Sequence, residues 1–110
     1  MKSKRSKACD IKPAVRKRVL ERDGGCCILC GTPRNLQIAH FVARSEGGLG
    51  IEQNLVIACV DCHYEMDQTK KEIREPKRNE ARCYLKSKYP DWDEKRLKYD
   101  KDSWKWKNQK

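Results

Sequence analysis

Residues 36–42 (LQIAHFV) place Leu36, Ile38, His40 and Val42 on one side of an extended chain. A period of two residues is typical of a β-strand. A second short apolar run, residues 54–58 (NLVIA), predicts another strand. The glycine-rich stretch RSEGGLG between the two runs predicts a turn, so the centre of the chain predicts a β-hairpin.

Helical patterns flank this hairpin and are predicted at residues 13–23, 60–73 and 79–89, with a short last helix from Asp91. The first pattern opens at a proline and ends at two glycines, the usual residues at these positions. Pro76 predicts the break between the second and third helices. Asp91 followed three residues later by Glu94 is a capping pattern that predicts the start of the last helix.

The composition indicates a small domain that needs more than apolar packing for its stability. The chain has 110 residues, of which 37% are hydrophobic and 38% charged, and it contains seven cysteines. A disulfide framework and a metal site are the two explanations for so many cysteines. The sequence shows no apolar run that suits a signal peptide or a membrane span, so we expect a cytoplasmic protein, where reduced cysteines more often bind metal.

Charge is distributed unevenly along the chain, with basic flanks around an acidic centre. Residues 1–22 carry nine basic against two acidic residues, and residues 68–110 carry fifteen against eight. Residues 23–67 carry two basic against six acidic residues. This pattern suits a protein that contacts phosphates with its flanks and binds cations at its centre, although general solubility explains the charge equally well.

Four cysteines occur as two CxxC pairs: Cys27, Cys30, Cys59 and Cys62. Two such pairs can supply four thiolates to one zinc ion, which here would fix the base of the hairpin to the following helix. Cys26 can replace Cys27 in a CxxxC spacing, and a redox CxxC is the other alternative. Cys9 and Cys83 have no partner at metal-site spacing and are expected to be free thiols.

Both histidines of the chain lie within the segment that the cysteine pairs frame. His40 belongs to the first predicted strand, and His63 directly follows Cys62. Asp67 lies four residues after His63, on the same face of a helix, so these two side chains can share one divalent cation. Arg44, near the predicted turn, is either a phosphate contact or an ordinary turn residue. In the tail, Trp104 and Trp106 either stack on bases or, as we favour, pack on the domain.

Over residues 16–67 the sequence resembles the HNH endonuclease family. The resemblance is carried by RKRVLERD, CILCG, LQIAHFVARSEGG, EQNL and CVDCHYEMD. The three residues that name the family would be His40, Asn54 and His63. The chain also looks similar to small HNH proteins of bacteria and phages, some of them encoded beside DNA-packaging genes. Phage DNA-packaging proteins are therefore candidate partners in addition to DNA.

The resemblance implies an α+β fold, a ββα-metal core of treble-clef-like form that is stabilised by zinc and flanked by α-helices. Together with the composition, the resemblance divides the chain into three expected segments. Residues 1–9 would form a basic flexible arm, residues 10–75 the HNH domain with its zinc site, and residues 76–110 a basic helical extension.

The resemblance also implies a metal-dependent DNA endonuclease that leaves 5′-phosphate and 3′-hydroxyl ends. His40 would be the general base, Asn54 would stabilise the hairpin loop and orient the His40 ring, and His63 would ligate the catalytic metal. Many family members carry Asp or His immediately before the base, where this chain has Ala39. Asp67 is the candidate that completes a site for Mg²⁺ or another divalent cation; a solvent-exposed helix residue is the alternative.

Two other function classes fit parts of the same pattern. A non-catalytic zinc module that binds nucleic acid would explain the charge and would make Ala39 the mark of a lost active site. A zinc-stabilised adaptor for other proteins is the third class. An imidazole at position 40 favours the nuclease, because a binding module has no need of one there.

Overall fold

The computed structural model describes residues 3–99. Its main elements, in chain order, are α1 (Lys4–Cys9), α2 (Pro13–Arg22), β1 (Leu36–His40), β2 (Leu55–Cys59), α3 (Val60–Asp67) and α4 (Lys71–Lys88). Short 3-10 turns cover Arg44–Glu46, Glu52–Asn54 and Glu94–Leu97. The predicted α+β class is confirmed. Within residues 3–99 no helix has the length and apolar character required to cross a membrane. Trp104 and Trp106 lie outside the described residues.

Strands β1 and β2 form the predicted antiparallel hairpin, with Leu36 opposite Cys59 and His40 opposite Leu55. Every residue of β2 is buried, because helices cover both faces of the hairpin. On one face Val19 of α2 packs with Leu55 and Ile57. On the other face α3 and α4 form the larger core, whose fully buried members include Ala39, Phe41, Val56, Ala58, Met66, Ala81 and Leu85.

The connection between the strands, residues 41–54, is here called the hairpin loop, and two distant segments contact it. The N–H of Gly50 donates to the carbonyl oxygen of Ala8 at 3.0 Å. A Cβ at Gly50 would lie 2.1 Å from the carbonyl oxygen of Asp10, so this approach requires glycine. On the other side, the N–H of Leu49 donates to the carbonyl oxygen of Leu97 at 2.8 Å. The loop is therefore positioned by both flanks of the chain.

A buried ion pair joins α2 to the outer edge of β2. Nε of Arg22 lies 2.7 Å from Oδ1 of Asp23, whose side chain is fully buried. Asp23 accepts hydrogen bonds from the N–H of Ile57, at 2.8 Å, and from the hydroxyl of Tyr84. Arg22 donates to the carbonyl oxygen of Leu55 at 2.6 Å. This network satisfies backbone groups of β2 that the hairpin leaves unpaired.

Two helix boundaries differ from the sequence-based expectation. Helix α4 runs continuously through Pro76, so the predicted break there is wrong. The proline removes one hydrogen bond in the second turn, while burial of Ala81 and Leu85 further along stabilises the whole helix. The predicted helix from Asp91 is a single 3-10 turn, and its N-cap is Asp93, whose side chain accepts from the N–H of Lys95.

Residues 4–9, whose composition predicts a mobile arm, form helix α1 and pack on the hairpin loop. Cys9 is almost completely buried. Arg5 donates to the carbonyl oxygen of Ser45 at 3.0 Å. A sequence pattern of lysines and serines cannot reveal this packing, because the contacts connect residues about forty positions apart.

Candidate active site and metal-binding cluster

The sulfur atoms of Cys27, Cys30, Cys59 and Cys62 lie within 4.8 Å of one another. The Sγ atoms of Cys30 and Cys59 are 3.7 Å apart. Tetrahedral coordination at a Zn–S distance of about 2.3 Å places two sulfurs about 3.8 Å apart, so the cluster has the dimensions of a four-thiolate metal site. Cys27, and not Cys26, belongs to this cluster, as its CxxC spacing predicts.

Backbone N–H groups donate hydrogen bonds to two sulfur atoms of the cluster. Sγ of Cys27 accepts from the N–H groups of Leu29 and Cys30, each at 3.4 Å, and Sγ of Cys59 accepts from the N–H of Cys62 at the start of α3. Burial acts to raise the pKa of Cys27, but the surrounding hydrogen bonds outweigh it and lower the pKa to about 7. Burial raises the pKa of Cys62. A bound cation would therefore be needed to keep all four groups as thiolates.

Asn54 is fully buried at the end of the hairpin loop. Its Oδ1 accepts from the N–H of Val42 at 2.8 Å, and its Nδ2 donates to the carbonyl oxygens of Val42 and Leu49 at 3.2 and 2.9 Å. The backbone carbonyl of Asn54 accepts from the N–H of Phe41 at 2.7 Å. These contacts connect both ends of the loop, which fixes the backbone directly after His40. The Asn54 side chain was expected to orient the His40 ring, but the hydrogen-bond partner of that ring is the backbone carbonyl of Cys9.

The imidazole of His40, half-buried at the end of β1, is hydrogen-bonded through Nε2 to the carbonyl oxygen of Cys9 at 3.0 Å. Burial lowers the pKa of His40 below its usual value; the Cys9 carbonyl opposes this change and the charge of Arg44 adds to it. His63 and Asp67 also act on the pKa of His40, in opposite directions. The charges of these two side chains therefore act on the His40 ring.

His63 and Asp67 form a partly buried pair on α3, with side chains 29% and 23% exposed. Nε2 of His63 is 3.0 Å from Oδ2 of Asp67, and Nδ1 of His63 is 2.7 Å from Oε1 of Gln37 in β1. Gln37 and Ala39 lie on the same face of β1. Residue 39, the position that carries a metal ligand in many HNH proteins, is therefore directed toward α3. Ala39 is fully buried there and offers no ligand atom.

Gln37, Cys9 and Arg78 contribute to the site although they were not predicted. The alternation of β1 was the only available signal for Gln37, because it places residue 37 on the face of residue 39. The carbonyl of Cys9 carries no side-chain signal. Nη1 of Arg78, from α4, lies 3.9 Å from Oδ1 of Asp67.

Arg44 contacts the N-terminal segment. Its Nη2 lies 2.6 Å from Oδ1 of Asp10 and 3.3 Å from the carbonyl oxygen of Ser6. These contacts favour an arginine that fixes the loop to α1 over one that is reserved for a phosphate.

The central segment of the chain matches a known protein family model. Residues 27–67 match the family model described as HNH endonuclease. Among solved structures, the chain is similar to the type IV phosphorothioation-dependent restriction endonuclease ScoMcrA, with a TM-score of 0.53 and 23% sequence identity. The alignment covers 71% of this chain and 20% of that one, so this chain spans a small part of that enzyme and the similarity shows the fold. A search of curated proteins found no match. The predicted resemblance to the HNH family is confirmed.

Proposed function

We propose that this protein, whose residues 27–67 match the HNH endonuclease family, is a metal-dependent DNA endonuclease. The observation that carries the proposal is the arrangement of His40. A half-buried imidazole with one nitrogen fixed by a backbone carbonyl lies in the electrostatic environment of a histidine–carboxylate pair. A binding module has no requirement for such an imidazole.

The hydrogen bond to Cys9 supports a specific tautomer of His40. A carbonyl oxygen only accepts, so Nε2 carries the proton of the neutral ring and Nδ1 carries the lone pair. Because burial lowers the pKa, the neutral ring is favoured near neutral pH. We therefore assign Nδ1 as the atom that takes a proton from water.

The separation of His63 and Asp67 fits a shared divalent cation. Two adjacent ligands of an octahedral Mg²⁺ ion, each at about 2.1 Å, are about 3.0 Å apart. Nε2 of His63 and Oδ2 of Asp67 are 3.0 Å apart. Donation from Nδ1–H of His63 to Gln37 would leave the lone pair of Nε2 for the cation, as is usual for metal-ligating histidines. The bound cation would withdraw charge from the scissile phosphate and stabilise the leaving oxygen.

The reaction that these residues support is hydrolysis of a phosphodiester. A water molecule gives one proton to Nδ1 of His40, and its oxygen forms the new bond to phosphorus. The P–O3′ bond breaks, its electron pair passes to O3′, and O3′ takes up a proton from solvent. The products carry a 5′-phosphate and a 3′-hydroxyl. Asn54 serves this step by fixing the backbone that follows His40.

The four-cysteine cluster would bind a structural zinc ion. It lies at the base of the hairpin and connects the residues before β1 to the start of α3, so bound zinc would fix the helix that carries His63 relative to the strands. Exposed basic residues on α2 and α4 offer contacts for the DNA backbone: Arg16, Lys17, Lys71, Lys86 and Lys88.

Ala39 favours a second candidate, a zinc module that binds nucleic acid without cutting it. A methyl group at this buried position removes a ligand that many HNH proteins have, and the remaining protein ligands are His63 and Asp67. Catalysis by this chain therefore depends on whether two protein ligands, with water and substrate oxygens, retain the cation.

Supercoiled plasmid incubated with the purified protein and Mg²⁺, Mn²⁺ or Ni²⁺ distinguishes the two functions. The nuclease predicts nicked or linear product with at least one metal. His40→Ala should reduce cutting by at least about 100-fold, while zinc content and DNA affinity persist. Wild-type protein that binds DNA but does not cut it with any of these metals would identify the binding module. Equal cutting by His40→Ala would remove His40 from the mechanism.

A further inference from the structure

Arg78 of α4 lies beside the His63–Asp67 pair, although it falls outside the segment that matches the family. Its Nη1 donates to the carbonyl oxygen of Phe41 at 2.9 Å, and its guanidinium carbon lies 4.4 Å from the centre of the Phe41 ring. Phe41 is fully buried and directly follows His40. A hydrogen bond and a stacking contact thus fix the guanidinium group near both parts of the candidate active site.

The charge of Arg78 is less completely neutralised than that of its neighbour Arg82. Arg82 also lies over the Phe41 ring, at 5.3 Å, but it forms two hydrogen bonds with the carboxylate of Glu94, at 2.8 and 3.5 Å. The carboxylate nearest Arg78 is that of Asp67, at 3.9 Å, the outer limit of an ion pair. Asp67 is at the same time 3.0 Å from His63.

The geometry points to Arg78 as a further catalytic residue, which contacts the scissile phosphate. This inference rests on the proposed nuclease function. Within residues 3–99 the structure describes no hydrogen-bond partner for Nε and Nη2 of Arg78, and its side chain is 20% exposed. Two guanidinium N–H groups match two phosphate oxygens in geometry. During the reaction they would stabilise charge on these oxygens as the bond to water forms and the P–O3′ bond breaks.

The test compares single-turnover nicking rates at saturating divalent metal for the wild type, Arg78→Ala, Arg78→Lys and the matched control Arg82→Lys. Arg78→Ala should be about 100-fold slower, the usual cost of one fixed donor to transition-state charge. Added guanidinium ion should restore part of this loss. Arg78→Lys should retain a cation over the Phe41 ring and leave the melting temperature unchanged. Its nicking rate should recover only in part. Arg82→Lys should keep the wild-type rate.

Three results would overturn the inference. One is Arg78→Ala that cuts at the wild-type rate. Another is a loss of rate in Arg78→Ala that added guanidinium ion does not restore, together with a wild-type rate in Arg78→Lys. That result would indicate a packing role for the Arg78 side chain. The third is wild-type protein that does not cut DNA with any of the tested metals, which overturns the proposed function as well. The first two leave the nuclease proposal intact, so the failures are distinguishable.

Discussion

His40 and Cys9 are joined by a hydrogen bond of 3.0 Å between imidazole Nε2 and a backbone carbonyl oxygen, although 31 residues separate them. Gly50 makes this contact possible, because its missing side chain lets residues 8–10 approach the hairpin loop. Gly50→Ala would place a Cβ 2.1 Å from the carbonyl oxygen of Asp10 and displace this segment. We expect nicking to fall at least about 10-fold while zinc content is retained. Cutting at the wild-type rate would show that the carbonyl of Cys9 does not orient the base.

Asp67→Ala should weaken the response to divalent metal, because it removes one of the two proposed protein ligands. We expect the Mg²⁺ or Mn²⁺ concentration for half-maximal nicking to rise at least about 10-fold. Glu65→Ala is the matched control, since Glu65 lies on the same helix and pairs with Lys77 at 3.7 Å. An unchanged metal dependence in Asp67→Ala would assign the metal to other groups.

Removal of the metal from the four-cysteine cluster should unfold the protein. Structural zinc contributes on the order of 10 kcal/mol in small domains, which is comparable to the whole stability of a domain of this size. A zinc chelator, or Cys62→Ser, should therefore abolish the cooperative thermal transition in circular dichroism. Cys83→Ser is the control, because Cys83 is exposed and lies outside the cluster. A chelated protein that keeps its native spectrum would contradict a structural role for the metal.

Asn54→Ala should destabilise the fold, because it leaves the N–H of Val42 and two buried carbonyl groups without partners. The expected loss in the free energy of unfolding is on the order of 3 kcal/mol, measured by urea denaturation. Gln53→Ala is a suitable comparison, since the described hydrogen bond of Gln53 uses its backbone carbonyl. Equal effects of the two substitutions would show that the Asn54 amide does not stabilise the loop.

Tyr84 should make stability sensitive to alkaline pH. Burial, together with the hydrogen bond to Asp23, raises the pKa of Tyr84 from 10.0 to about 12. The unfolded chain therefore loses this proton at lower pH than the folded protein. Stability from this group is complete below about pH 10 and decreases as the pH rises toward 12. Urea denaturation across this range should show a smaller decrease for Tyr84→Phe than for the wild type; equal decreases would assign the effect to other groups.

The parts of the fold that the sequence predicts are those encoded by local spacing. The period of two over Leu36–His40 predicts the hairpin, and the two CxxC pairs predict the cluster, because each pattern repeats within a few residues. Asp67 follows His63 by one helical turn, so their proximity is also local. These features need no knowledge of how distant segments pack.

Contacts between distant segments account for what the sequence does not predict. Tyr84 and Asp23 are 61 residues apart, and Arg78 and Phe41 are 37 residues apart. No periodicity relates such positions. Pro76 misleads for a related reason, since the breaking tendency of one residue is outweighed by burial of the rest of α4. The proposed roles of His40, Asn54, His63 and Asp67 stay predictions until cutting is measured.

Segments near both ends of the described chain contact the hairpin loop: Ala8 contacts Gly50, and Leu97 contacts Leu49. A peptide confined to residues 27–67 would contain all the cysteine ligands and both histidines, yet it would lack every one of these partners. Such a fragment would therefore lack two of the backbone hydrogen bonds that position the loop. The contact of Cys9 with His40 and that of Leu97 with the loop join segments distant in sequence, and such non-local contacts slow folding relative to local ones.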